Sequence, residues 1–381
     1  MNSLIYLDYA ATTPVAPEVA QLMGQHLTLD GCFANPASRS HLAGWQAEQA
    51  VEKARQQVAN LLGADVREII WTSGATEANN LAIIGAARAN PDKGRHIITS
   101  AIEHKAVLDT CHWLEKEGYR ITYLKPDAKG QISVKQVAQA LTPDTFMVSL
   151  MLVNNELGTV NPVAEMGELL KSHTALFHID AAQAVGKLPI DVNQLQVDLL
   201  SLSGHKFYGP KGVGALYVRR QPAVHLEALI HGGGHEQGMR SGTLPTHQLV
   251  GIGLAAHMAG EQMAQDQQHI NQCRTAFLEE VNPALFVQTA ANPSNWPGII
   301  NLAFPAIEAE TLMMALPNLA VSTGSACNAA SIDPSYVLVA LGLSRATALS
   351  SVRFSFGRYL TLAQATRAGQ QLNQALESLK S

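Results

Sequence analysis

Between residues 69 and 218, short apolar runs alternate with stretches of helical periodicity, and this pattern constrains the fold more than any other feature. The runs at 69–72, 97–99, 121–124, 146–153, 176–179, 199–202 and 215–218 read as buried strands. The stretches at 76–89, 104–117 and 164–171 read as helices between them. Strands this short and this uniformly apolar need cover on both faces, which predicts a mainly parallel α/β sheet. Ligands of such sheets sit beyond the carboxyl ends of the strands, so the polar loops that follow each run are where chemistry is expected. Ahead of this block, 45–62 reads as a helix with Val51, Ala54, Val58, Leu61 and Leu62 on one face and Gly63 closing it.

Past residue 245 the character changes. A long helical stretch, 248–280, is followed by strands at 299–302 and 352–356 and helices at 308–316, 334–341 and 362–379. This predicts a large α/β domain over 15–250, with 1–14 and 251–381 forming a smaller α+β domain.

Bulk properties remove some function classes. The 381 residues carry a formal net charge of −5, which leaves no basic footprint for nucleic acid. No apolar run reaches the ~18 residues of a membrane span, and the first fourteen residues do not read as a secretion signal, so a cytoplasmic enzyme without membrane partners is expected. Cys32, Cys111, Cys273 and Cys327 form no C-x-x-C pair, which argues for reduced thiols and against a metal site.

The strand 199–202 ends in Ser203-Gly204-His205-Lys206, followed by a glycine-rich turn. A lysine at such a junction is held still and partly desolvated, which favours the neutral, nucleophilic amine used in Schiff-base chemistry. Ser203-x-x-Lys206 also spells the S-x-x-K of serine β-lactamases, but their S-D-N and K-T-G strings do not occur here. A P-loop is opposed by Pro210 and by the lack of Ser or Thr after Lys211. A strand end with a surface lysine remains the plain alternative.

Other strand ends carry their own signals. Thr72-Ser73-Gly74-Ala75-Thr76-Glu77 joins a strand to a helix and reads as an anion site or as an ordinary N-cap. Asp180 ends a buried strand, where a carboxylate needs a cationic partner such as a protonated pyridine nitrogen, unless it only caps a turn. His104 is placed to stack on a flat ring or shuttle a proton, or simply to start a helix. Asn155 lies in another polar loop after a strand. Arg353 alternates with Val352, Phe354 and Phe356, so it is either a carboxylate clamp or an exposed strand-face arginine. Cys327 sits among Thr323, Gly324, Ser325, Ala326, Asn328 and Ser331, small residues that leave a thiol accessible; the alternative is a buried cysteine packing as a small hydrophobe.

Taken together, these strings resemble the NifS/IscS-type cysteine desulfurases, pyridoxal-phosphate enzymes of the aspartate-aminotransferase fold (fold type I). The likeness runs from Leu7-Asp8-Tyr9-Ala10-Ala11-Thr12-Thr13-Pro14 through Glu103-His104-Lys105, Asn154-Asn155-Glu156, Asp180-Ala181-Ala182-Gln183, Ser203-Gly204-His205-Lys206 and Arg240-Ser241-Gly242-Thr243 to Gly324-Ser325-Ala326-Cys327 and Arg353-Phe354-Ser355. The Gly-Ser-Ala-Cys loop resembles the subgroup whose cysteine loop is longer.

The resemblance implies a role for each position. Lys206 would carry the cofactor covalently. Ala75, Thr76, Ser203 and His205 would hold its phosphate, with Thr243 reaching in from the partner of a homodimer. Asp180 would pair with the ring nitrogen, Asn155 and Gln183 would meet the ring-oxygen side, and His104 would stack on the ring. Arg353, with Asn35, would bind the carboxylate of L-cysteine. Cys327 would take the sulfur as a persulfide, with a transient contact to an iron–sulfur centre through that sulfur. The sulfur would pass to an acceptor protein, an iron–sulfur scaffold or a sulfur carrier. Activity that survived loss of Cys327 would point instead to another pyridoxal-phosphate lyase or aminotransferase of this fold, and a non-catalytic sulfur-transfer platform is the third reading. The chain departs from the pattern at Ala34, where glycine is usual, and at Asn328, where Thr or Ser is commoner. It also ends at Ser381, soon after the last helix, which leaves docking of the scaffold through the family's C-terminal tail without support while leaving the desulfurase chemistry intact.

Overall fold

The computed structural model describes residues 4–323 and 333–380. Twelve strands are present among them. β1 (Ile5–Tyr6) pairs with β11 (Leu319–Ala320). The main sheet contains β2 (Ile69–Thr72), β3 (His96–Ser100), β4 (Arg120–Leu124), β5 (Thr145–Met151), β6 (Leu176–Asp180), β7 (Leu199–Ser203) and β8 (Gly214–Val218) in the order β2-β8-β7-β6-β5-β3-β4. A second sheet runs β12-β10-β9, from Ser351–Ser355, Ile299–Ala303 and Val287–Gln288.

The main sheet is parallel except for β8, which runs against both β2 and β7. Strands β2, β3 and β5 to β8 are buried along their whole length, as the continuous apolar runs require. The carboxyl ends of β2, β3, β5, β6 and β7 therefore open on one edge, and the start of β8 joins them there.

The helix expected at 45–62 spans Leu42–Leu62. It begins three residues earlier because the His41 ring accepts a hydrogen bond from Gly44 N–H and caps it, and Gly63 ends it in a left-handed turn. Its buried face, with Ala47, Val51, Ala54, Val58 and Leu62, packs on the 34-residue helix Thr246–Glu279. Gly253 makes that crossing close, because a methyl there would collide with Ala54. The helix expected at 76–89 begins at Ala75 and widens into a π-type turn at Leu81–Gly85 before resuming at Ala86–Ala89. Short pieces with little periodicity, such as the helix Val134–Ala140 and strands β1, β9 and β11, were not foreshadowed by the sequence pattern.

The N-terminal arm stitches the two sheets together. Beyond β1, Asp8 bridges to Ser355 of β12, and Leu7 O accepts from Ser355 N–H. The arm then crosses to the turn after β7. There Thr13 N–H and Oγ1 both donate to His205 O, and Thr13 Oγ1 accepts from Tyr208 N–H. Tyr208 is held at φ 68°, a left-handed conformation uncommon for a bulky residue, so this turn is pinned from outside.

Candidate active site

At the carboxyl edge of the main sheet lies a cleft of about 450 Å3. It is lined by Ala75, Thr76, His104, Asn155, Asp180, Gln183, Ser203, His205, Lys206 and Arg353, together with Ala10, Ala11, Gly74, Asn79 and Lys211. The turn Gly204–Lys206 sends the Lys206 amine to the arm, where Nζ donates to Ala10 O at 2.8 Å and Ala11 O at 2.9 Å. Lys206 is thus a cleft residue and not a surface lysine.

Asp180 ends β6 with only 5% of its surface exposed. Its Oδ2 accepts from Asn79 Nδ2 at 2.8 Å, and its Oδ1 accepts from Ala182 N–H at 2.9 Å. Asn79 is fully buried on the Ala75 helix and fixes the carboxylate from above the sheet edge. Residue type alone does not mark Asn79, because one asparagine in a helix has no signature until its partner 101 residues away is known.

His104 caps the helix Lys105–Lys116, its Nδ1 accepting from Ala106 N–H at 3.1 Å. Burial, acting ahead of the neighbouring charges, lowers its pKa. Both effects favour a neutral ring with its proton on Nε2. His205 is also held neutral: burial, then Lys206, Lys211 and Lys187, bring it down to about 4, and its Nδ1 sits 3.1 Å from Thr12 Oγ1.

Arg353 extends from β12 into the same cleft with 6% of its side chain exposed, which removes the exposed strand-face reading. Its Nη2 donates to Asp8 Oδ1 at 2.7 Å and its Nη1 to Asn155 O at 2.8 Å, while its Nε has no partner among the described residues. Gln183 Nε2 donates to Ala10 O at 2.8 Å.

Two positions stand apart from this cleft in the single chain. Asn35 is exposed, and its Oδ1 accepts from Ala37 N–H. Thr243 is exposed on the loop after Arg240, which is tied to Glu77 beside the Ala75 turn. Cys327 lies outside the described residues. Of the remaining thiols, Cys111 and Cys273 are buried and Cys32 is half-buried.

The cleft fits pyridoxal phosphate by its own chemistry. Gly74, at φ 151°, opens the first turn of the Ala75 helix opposite Ser203, so free N–H groups and a hydroxyl face the same spot. Asp180 supplies a fixed negative charge on the floor. Asn155 Oδ1 is buried and has no hydrogen-bond partner among the described residues.

Residues 5–367 match the model of the class-V aminotransferases. Over 362 residues the chain is 58% identical to a cysteine desulfurase IscS of Aeromonas salmonicida, covering 95% of this chain and 90% of that one. Over 385 residues it is 55% identical to a cysteine desulfurase IscS of Pseudomonas putida, covering 100% and 94%. The chain belongs to the NifS/IscS-type cysteine desulfurases. Among solved structures, a NifS-like protein superposes with a TM-score of 0.90 at 34% identity, covering 99% of both chains. SspA in complex with cysteine does so with a TM-score of 0.83 at 43% identity, over 93% of this chain and 99% of that one. The family is pyridoxal-phosphate dependent, and the fold-type-I architecture expected from the sequence is the one observed.

Proposed function

We propose that this chain converts L-cysteine to L-alanine and passes the sulfur, through a persulfide on Cys327, to an acceptor protein that feeds iron–sulfur cluster or thio-cofactor synthesis. The observation that supports this most directly is that Asp180 at the end of β6, His104 and Lys206 in the turns after β3 and β7, and Arg353 from the middle of β12 line one cleft.

Pyridoxal phosphate, when bound, supplies an electron sink for bonds broken next to the substrate's amino carbon. The chain's residues do the rest. Lys206 would hold the cofactor, and its amine is the group in the cleft placed to move the proton at the substrate's Cα. Asp180, oriented by Asn79 and Ala182 N–H, keeps the ring nitrogen protonated. His104, neutral and locked by Ala106 N–H, covers the ring face. Ala75, Thr76, Ser203 and His205 take the phosphate, and Asn155 and Gln183 meet the ring-oxygen side. Arg353 clamps the substrate carboxylate. Its two occupied N–H groups already fix its plane, which lowers the entropy cost of a further hydrogen bond. The Cys327 thiolate attacks the substrate's sulfur: an S–S bond forms, the C–S bond breaks, and the carbon keeps the electron pair and is protonated to give alanine.

We further infer a cytoplasmic homodimer in which Thr243 and Asn35 complete the partner's cleft. Supporting this, both residues are exposed in the single chain, and Leu27, Leu29, Phe33, Leu42 and Trp45 expose large apolar surface in the stretch that contains Asn35. No helix among the described residues is long and apolar enough to cross a membrane. We also read 15–250 as the cofactor-holding domain, and 1–14 with 251–381 as the domain that brings Arg353 and Cys327 to it.

The test is a pair of assays on purified holoenzyme given L-cysteine. Alanine should appear, and intact-peptide mass spectrometry should find one added sulfur on Cys327. Cys327→Ala should keep the cofactor's colour and stop sulfur transfer; unchanged transfer would remove Cys327 from this role.

A further inference from the structure

Lys187 lies four residues beyond Gln183 in the turns that follow β6, and its Nζ donates to Gln183 Oε1 at 2.7 Å. An ammonium can only donate, so the Gln183 oxygen must face Lys187, and its NH2 must face the other way. That NH2 donates to Ala10 O, which is also the carbonyl that receives Lys206 Nζ. Lys187, Gln183, Ala10 and Lys206 therefore form one hydrogen-bonded chain ending at the reactive amine. We propose that Lys187 is a positioning residue: it fixes the Gln183 amide with its donor side toward the cleft and places a positive charge behind the cofactor's ring-oxygen side.

The surroundings of Lys187 are built for this and little else. Gln267 Nε2, from the long helix, donates to Lys187 O and holds its backbone. A cavity of about 20 Å3, large enough for about one water, lies against Lys187 and is also lined by Tyr9, Tyr208 and Asp266. Asp266 is already committed to Arg358, whose Nε and Nη2 both donate to it, so it is not the lysine's counter-ion. Burial, then the positive charges of Lys206 and Arg353, pull the Lys187 amine down to about 7. His205, on the adjoining turn, feels the Lys187 charge in return. A partly desolvated cation with no carboxylate partner among the described residues has a reason to be where it is if a negative ring oxygen completes it.

This inference rests on the pyridoxal-phosphate reading and adds a residue to it. The experiment is a pH titration of the visible absorption of holoenzyme, with wild type, Lys187→Met, Lys187→Arg, Gln183→Met and the double variant Lys187→Met/Gln183→Met. Removing the positive charge and freeing the amide both make a proton near Lys206 easier to hold. The Lys187→Met midpoint should therefore rise by roughly half a unit or more, and Lys187→Arg should stay near wild type. In the Gln183→Met background, Lys187→Met should produce a smaller shift than it does alone. A Lys187→Met midpoint equal to wild type would overturn the proposal, as would full additivity in the double variant. Should Lys187→Met fail to fold, Lys187→Gln reads the same quantity, and a midpoint unmoved there overturns the proposal equally. A wild type with no visible band would instead defeat the cofactor reading itself, so the two failures are distinguishable.

Discussion

Asp180 shows how much a functional side chain depends on a neighbour that takes no part in the chemistry. Its carboxylate is aimed by a buried side-chain amide, Asn79 Nδ2, together with Ala182 N–H. A hydrogen bond to a charged group contributes about 1.5–3 kcal/mol, so Asn79→Ala should weaken cofactor binding by roughly tenfold or more. Equilibrium dialysis of pyridoxal phosphate against the variant checks this; wild-type affinity would mean that Asp180 is held well enough by Ala182 N–H alone. His104→Ala should bind the cofactor but lose roughly 10²–10⁴-fold in kcat if the ring participates in proton transfer, read in the alanine assay. At this scale the sequence was legible wherever a polar residue tipped an apolar run, as at Asp180, His104 and Lys206. It was silent on Asn79, Asp8, Lys187 and the Ala10 and Ala11 carbonyls. Asn79 and Asp8 gain their roles from partners far along the chain, Ala10 and Ala11 from their own backbone, and Lys187 from a turn after β6 that sets its amine against Gln183; none of these leaves a mark on residue type.

The elements around the cleft are held by buried polar contacts as much as by apolar packing. Glu236, in the loop that carries Arg240 and Thr243, receives two hydrogen bonds from Arg55 and a third from Trp71 N–H of β2. The Arg55 and Glu236 side chains are 10% and 2% exposed, so Arg55→Met would strand a buried carboxylate. It should lower stability by about 3–5 kcal/mol in urea unfolding, whereas a loss under about 1 kcal/mol would show the contact to be incidental. Glu103, at the end of the loop from β3, is fully buried, and burial pushes its carboxyl up to about 8. The unfolded chain ionises this group near 4.5 while the folded chain keeps it neutral, so its contribution to stability falls as pH rises from about 4.5 to about 8 and is level above that. Glu103→Gln should remove this slope: the stability difference between variant and wild type should grow in the variant's favour from pH 5 to pH 8. A difference independent of pH would contradict the account. Element type was legible from strand-length apolar runs. Boundaries shifted where a local cap intervened, as His41 moves the Leu42 helix forward, and the π-type turn at Leu81–Gly85 has no counterpart in a 3.6-residue pattern.

For the molecule as a whole, a seven-stranded sheet with a single reversed strand gathers six parallel strand ends on one edge, and the N-terminal arm closes over them. The fold class follows from the alternation of strands and helices alone, because a mainly parallel sheet is the economical way to cover strands apolar on both faces. What the alternation could not supply is the arm's path from Asp8 at β12 to Thr13 at the lysine turn, since that path is fixed by backbone bonds between distant segments. The proposed homodimer would cover the exposed apolar side chains between Leu27 and Trp45, and sedimentation should give twice the chain mass. A monomer at micromolar concentration would contradict the placement of Asn35 and Thr243 in a partner's cleft. The central claim is that Lys206, and no other amine, carries the cofactor, and borohydride reduction of the holoenzyme followed by peptide mass mapping tests it most directly. The account predicts the pyridoxyl phosphate group on Lys206 alone; finding it on Lys211, which lines the same cleft, on Lys187, or on no lysine would contradict it.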